Sequence, residues 1–207
     1  MEDTTVYSQK SKEWFNARIG KVTASRISDV MAKTKSGYSA TRKNYMTQLL
    51  LERLTGQKEE SYTNAAMQHG IDTEDEARSA YELESFNIVT ECGFYDSPDG
   101  LMSGASPDGL ISDTGLIEIK CPNTATHIET LICKEIDRKY ILQMQWQMYC
   151  TNRQWCDFVS YDNRLPINLR LFIKNIDRDE KMIEEILSEV KLFLSELDEL
   201  EKQVRAL

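Results

Sequence analysis

An α/β or α+β fold, with a central mixed β-sheet flanked by helices, is what this sequence predicts. Three observations support the expectation. Helix-type patterns occupy most of the first 86 residues. Between 87 and 121 the runs shorten to strand length and are broken by turn sequences. Helical and strand-like runs then alternate until the chain closes on a long amphipathic helix.

The elements follow in order. Helices are expected at Lys12–Ala17 and Ala24–Met31, where Thr23 and Ser25 suit an N-terminal cap. The Lys/Ser/Gly-rich segment Lys33–Ala40 reads as a loop. Thr41–Leu54 is a strong helix, and Gly56 supplies its left-handed close. A longer helix spans about Asn64–Phe86, with Ala66, Ala77, Ala80 and Tyr81 on its packed face. Strands are expected at Asn87–Tyr95, Met102–Ala105, Gly109–Ile111 and Leu116–Cys121. The turns between them are Ser97-Pro98-Asp99-Gly100, Asp108-Gly109 and Asp113-Thr114-Gly115. Helices return at Ala125–Lys134 and Lys139–Cys150, and strands at Trp155–Tyr161 and Asn168–Ile173. From about Arg178 a final helix lines up Ile183, Leu187, Val190, Leu194 and Leu197 as core packing.

At 207 residues the chain fits one domain. Its expected parts are a helical N-terminal portion (about 11–58), a core (about 64–174) and the closing helix (about 178–205). No apolar run reaches membrane-spanning length, and the acidic start is wrong for a secretory signal. The five cysteines form no C-x-x-C pair, so they read as reduced thiols of a cytosolic protein rather than a disulfide frame, zinc site or iron–sulfur ligand set. The net charge of −9 argues at first against a polyanionic partner. It is unevenly spread: residues 1–58 carry +6, and residues 59–207 carry −15. A basic N-terminal third is compatible with phosphate binding, because local potential decides it.

The chemistry concentrates in Ser106-Pro107-Asp108-Gly109 and Ile117-Glu118-Ile119-Lys120-Cys121. Strand side chains alternate, so Ile117, Ile119 and Cys121 face a core while Glu118 and Lys120 face the other way together. The turn at Asp113–Gly115 folds one strand back on the other, and antiparallel pairing would bring Asp108 near Glu118. Two such carboxylates suit a hard cation, with the carbonyl of Ile119 as a further oxygen. Phosphodiester hydrolysis needs that cation to neutralise phosphate charge and acidify a water, and an adjacent lysine to orient the water.

This P-D-x₉-E-x-K pattern resembles the PD-(D/E)xK nuclease superfamily. The boxes ASPDGL and LIEIKCP, with RIGKVTAS, HGIDTEDEAR and ILQMQWQMY in the same order, resemble the lambda exonuclease family of phage recombination nucleases over roughly residues 11–162. The resemblance implies a restriction-endonuclease-like core and an Mg²⁺-dependent 5′→3′ exonuclease, with Mn²⁺ as a substitute. It implies a metal set of Glu74, Asp108, Glu118 and Ile119, and a catalytic set of Asp108, Glu118, Lys120 and Gln143. Gln145 and Gln147 remain alternatives to Gln143. Arg18, Ser25 and Ser106 match the pocket for a DNA 5′-phosphate, and Lys35 falls where a basic group is expected. Met67, two turns before Glu74, is a candidate wedge between end bases. His69 and His127 are read as structural. The expected product is duplex DNA with 3′ single-stranded overhangs. The expected partners are 5′-phosphorylated duplex ends, two further copies in a homotrimeric ring, and a single-strand annealing protein in a phage-infected or prophage-bearing bacterium, with no membrane. An endonuclease or repair nuclease of the same superfamily is the alternative, and an inactive DNA-binding scaffold a more distant one.

Overall fold

The structure, a computed structural model, describes residues 9–58 and 65–207, the side chains of 65–67 excepted. The chain begins with α1 (Lys12–Arg18), whose cap Ser11 accepts the Trp14 backbone N–H at 3.1 Å. A short strand β1 (Val22–Thr23) leads through a 3-10 turn at Ala24–Arg26 into α2 (Ile27–Val30). The expected single helix at 24–31 is therefore two short pieces, and Thr23 occupies the cap position without a side-chain bond to it.

The expected loop at 33–40 holds a small hairpin, β2 (Lys33–Thr34) and β3 (Gly37–Tyr38). Next comes α3 (Ala40–Thr55), capped by Ser39 and closed by Gly56 at φ 67°, a backbone state that costs glycine nothing. After α4 (Ala65–Ser85) the chain forms β4 (Val89–Thr90), β5 (Tyr95–Asp96), β6 (Ser103–Ala105), β7 (Gly109–Ile111) and β8 (Gly115–Lys120). Then follow α5 (Thr124–Cys133), α6 (Arg138–Thr151), β9 (Trp155–Tyr161), β10 (Leu171–Asp177) and α7 (Glu180–Arg205).

The central sheet has the order β10-β9-β8-β7-β4 and is mixed, as expected: β8 and β9 run parallel, and the other neighbours antiparallel. A second sheet has the order β1-β6-β5. The strand expected over 87–95 is split between the two sheets. β4 pairs with β7 in one and β5 with β6 in the other. Between them Cys92 turns inward, and its thiol donates to the Pro107 carbonyl at 3.4 Å. The strand expected at 168–173 starts later, because Ile167–Leu169 after Pro166 winds into a 3-10 turn.

Helices cover both faces of the central sheet. On one, Ala77 and Tyr81 of α4 pack on Ile111, Ile117, Ile119 and Val159. On the other, Met144 and Met148 of α6 pack on Leu116, Cys156 and Phe158. A larger core joins α2, α3, α6 and α7 around Ile27, Tyr45, Leu49, Trp146, Val190 and Phe193. All five cysteines are free thiols. Among the described residues no helix is long and apolar enough to cross a membrane.

Candidate active site

The β7–β8 hairpin sets the centre. Its register places Gly109 opposite Ile117 and Leu110 opposite Leu116, so Asp108 and Glu118 are the next pair. Gly109 lets β4 lie close at this point, since a Cβ there would stand 2.2 Å from Val89 Cγ1. Asp108 accepts the backbone N–H of Ile119 at 2.7 Å. Ile119 thus meets the site through its amide, while its side chain joins the core under α4.

Glu118 is fully buried. One turn of α6 grips it from above: Gln143 donates to Oε1 and Gln147 to Oε2, each at 2.6 Å. Lys120 completes the grip with an ion pair to Glu118. An unpaired buried carboxylate is costly, and three donors on two oxygens meet that cost. Gln145, between the two glutamines, points elsewhere: it donates to the Asp177 carbonyl and accepts the Asp179 N–H.

The two carboxylates repel. Burial, then the charge of Glu118 and more weakly that of Glu74, pushes the Asp108 carboxyl well above the usual range, although Lys120 pulls the other way. Burial draws the Lys120 ammonium down, but Glu118 and Asp108 outweigh it and hold it above its usual value. Two crowded carboxylates whose mutual repulsion a cation would relieve form a donor set that fits a hard divalent ion. Glu74 stands near enough to add to the field at Asp108 but is paired with Lys10 at 3.7 Å and Arg78 at 3.8 Å. Among the described residues no three His, Cys, Asp or Glu side chains converge as a ready-made metal cage.

A cavity of about 180 Å³ opens over this centre, and its walls include Arg18, Ser25, Ser106, Asp108, Glu118, Lys120 and Gln143. Residues more than 80 positions apart meet here because α1 docks on the loop before β7. Ser106 Oγ accepts from Trp14 Nε1 at 2.9 Å and from Arg18 at 3.1 Å. Gln9 donates to the Pro107 carbonyl at 2.7 Å. The Arg18 guanidinium lies 4.1 Å from the centre of the Trp14 ring, and burial lowers its pKa to about 10. Ser25 does not cap a helix; its hydroxyl lies 3.4 Å from that of Thr23 on the cavity wall. Sequence reasoning missed Trp14, Gln9 and Thr23. The i,i+4 spacing of Trp14 and Arg18 on one helix was the available signal.

Lys35 is not brought to this cavity. It sits exposed in the β2–β3 turn, and that hairpin is tied to α7 by Lys33 and Tyr38, which bond Glu189 at 2.5 and 2.7 Å. Met67 lies on α4, but its side chain falls outside the described residues. His127 is structural: fully buried, it bonds Ser160 Oγ at 2.7 Å and the Leu169 carbonyl at 2.9 Å.

Comparison with known proteins adds the following. Residues 13–154 match the YqaJ-like viral recombinase domain. The structure is similar to that of an alkaline exonuclease, LHK-Exo, from Laribacter hongkongensis. That match is at 53% identity and a TM-score of 0.89, covering 95% of this chain and 97% of that one. The same protein solved in complex with dAMP superposes with a TM-score of 0.90. A phage-related exonuclease from Haemophilus somnus 129PT shares the fold at 18% identity, with a TM-score of 0.73 over 89% of this chain and 96% of that one. An uncharacterised protein, R354, of Acanthamoeba polyphaga mimivirus is 29% identical over 170 residues, 74% of this chain; the chain spans 29% of that relative's length.

Proposed function

The chain belongs to the YqaJ-like viral recombinase family, and on that premise we propose that it is a Mg²⁺-dependent 5′→3′ exonuclease. It digests one strand of duplex DNA from an end and leaves a 3′ overhang. The expected likeness to the lambda exonuclease family is borne out by the domain match and by the 53% identity to an alkaline exonuclease. The observation that carries the reading is one cavity walled both by Asp108, Glu118 and Lys120 and by Arg18, Ser25 and Ser106. A carboxylate pair for phosphodiester hydrolysis thus opens onto donors for a terminal phosphate.

Each residue then has a task. Asp108 and Glu118 would hold the cation, with Glu74 as the third carboxylate and the Ile119 carbonyl as an added oxygen. When bound, Mg²⁺ supplies charge neutralisation at the scissile phosphate and a more acidic water. Gln143 and Gln147 fix Glu118. Lys120 orients the attacking water and balances the charge that builds on the phosphate. Arg18 grips the 5′-phosphate, and the hydroxyls of Ser25 and Ser106 complete the cradle. Water adds to the phosphorus beyond the first nucleotide, and the 3′-oxygen of that nucleotide leaves with a proton. The phosphate stays on the next nucleotide and becomes the new 5′ end. A cradle built for a terminal phosphate favours an exonuclease over an endonuclease.

A homotrimeric ring around the duplex supplies processivity that a chain of net charge −9 would not obtain from electrostatics alone. A single-strand annealing protein, in a phage-infected or prophage-bearing bacterium, takes up the 3′ overhang. The test is digestion of linear and covalently closed circular duplex DNA in Mg²⁺. Linear DNA is consumed and circles survive, while Asp108→Ala and Glu118→Ala lose at least ~10³-fold of the rate. Cleavage of closed circles, or near-normal rates in either variant, overturns the reading.

A further inference from the structure

A second cavity of about 200 Å³ backs onto the first. The two share Arg18, Thr23 and Ser25, so these three side chains are all that the lining residues have in common. The second chamber is also lined by Phe15, Arg26, Tyr45, Glu52 and Lys58. It lies wholly within the basic N-terminal portion of the chain.

Among the described residues its charge is unbalanced. Glu52 is buried, and its oxygens are turned to the protein: Oε2 accepts the Gly20 N–H at 2.9 Å and Oε1 accepts from Gln48 at 3.0 Å. Arg26 is held by Asp29 and lies over the Tyr45 ring at 4.3 Å. Lys58 stands 4.9 Å from the centre of the Phe15 ring. Burial, then the charge of Arg18, lowers the Lys58 pKa. With Arg26 held by Asp29 and Lys21 by Asp96, Arg18 and Lys58 crowd a part-closed space whose one carboxylate among the described residues, Glu52, is already engaged, and an anion relieves that crowding.

The position of the chamber says which anion. Asp108 and Glu118 wall the first cavity but not this one, while Arg18 and Ser25, proposed for the 5′-phosphate, wall both. We propose that it receives the outer phosphates of a 5′-polyphosphorylated strand, so that the enzyme starts on 5′-triphosphate ends as well as 5′-monophosphate ends. The inference rests on the 5′-phosphate reading of Arg18, Ser25 and Ser106. In the first turnover water bonds the phosphorus between nucleotides one and two. The bond from that phosphorus to the 3′-oxygen of nucleotide one breaks, and the oxygen takes up a proton. The first product is a nucleoside 5′-triphosphate, and every later end is an ordinary monophosphate. Lys58 therefore acts at initiation and not in the run that follows.

The test compares initiation on linear duplexes that differ only in carrying a 5′-hydroxyl, 5′-monophosphate or 5′-triphosphate. Triphosphate ends should start within about threefold of monophosphate ends, both about tenfold or more ahead of hydroxyl ends. The first labelled product from the triphosphate should be the nucleoside triphosphate. Lys58→Glu should slow initiation on triphosphate ends about tenfold while monophosphate initiation and run length hold, and Lys58→Arg should restore it. Triphosphate ends as slow as hydroxyl ends, with monophosphate ends fast, overturn the second chamber alone. So does a Lys58→Glu variant that slows both phosphorylated ends equally. Equal rates on hydroxyl and monophosphate ends overturn the end-pocket reading beneath it.

Discussion

Glu118 has no solvent exposure, and both of its oxygens are taken by Gln143, Gln147 and Lys120. Among the described residues Gln147 Oε1 is buried with no protein hydrogen-bond partner. Two predictions belong at this scale. Asp108→Asn removes the like-charge crowding, so it should raise the Tm of the metal-free protein by about 2–4 °C while abolishing cleavage. An unchanged or lower Tm would show that the repulsion is not felt. Gln147→Ala frees one oxygen of Glu118 and should lower kcat about tenfold with KM for DNA ends nearly unchanged; a rise in KM alone would place Gln147 in binding. Asp108, Glu118 and Lys120 were legible in the sequence because strand alternation and one tight turn are local rules. Gln143 was legible through its motif, but its partnership with Gln147 needed the i,i+4 geometry of α6 set against β8.

At the scale of elements, local pattern located most helices and strands, and tertiary pairing decided the rest. β9 fell at Trp155–Tyr161 as expected, because aromatic and β-branched residues fill that run. The 87–95 segment could not be split from its own residues, since the division comes from two different neighbours, β7 and β6. The same holds for Lys35: the family resemblance placed it where a basic group is expected, but the bonds of Lys33 and Tyr38 to α7 hold its hairpin away from the cavity. The end of β9 offers a test of element packing. Asp162 is buried, which pushes its pKa up, but bonds from Arg164, Thr124 and the Arg164 backbone outweigh this and bring it to about 2. Arg164 also donates to the Pro122 carbonyl just past β8, so it ties together the strand ends that frame Lys120. A depressed carboxylate pKa stabilises the fold above the unfolded value near 3.9 and loses that stability as pH falls toward 2. Arg164 is half exposed and Thr124 keeps part of the depression, so Arg164→Ala should cost on the order of 1 kcal/mol at pH 7 and progressively less below pH 4. Equal Tm losses at pH 7 and pH 3 would contradict this assignment.

The whole molecule joins two unlike halves. A helical core of α2, α3, α6 and α7 carries the basic N-terminal portion, and the mixed sheet carries the carboxylates. α6 belongs to both, with Trp146 in the helical core and Met144 and Met148 on the sheet. That shared helix and the docking of Trp14 and Arg18 on Ser106 bring end recognition and hydrolysis into one cavity. Neither the docking nor the second chamber was legible in sequence, because both depend on contacts across most of the chain. If the enzyme encircles DNA, light scattering should give three times the 23.9 kDa chain mass, and a monomer at working concentration would remove the ring. The central claim is that one strand is consumed from its 5′-phosphate end. The most direct measurement uses a linear duplex with 5′-phosphates, one strand labelled at its 5′ end and the other at its 3′ end, digested in Mg²⁺. The account predicts early release of the 5′ label as a mononucleotide, with the 3′ label retained on long single-stranded DNA. Early release of the 3′ label, with the 5′ label retained, would contradict it.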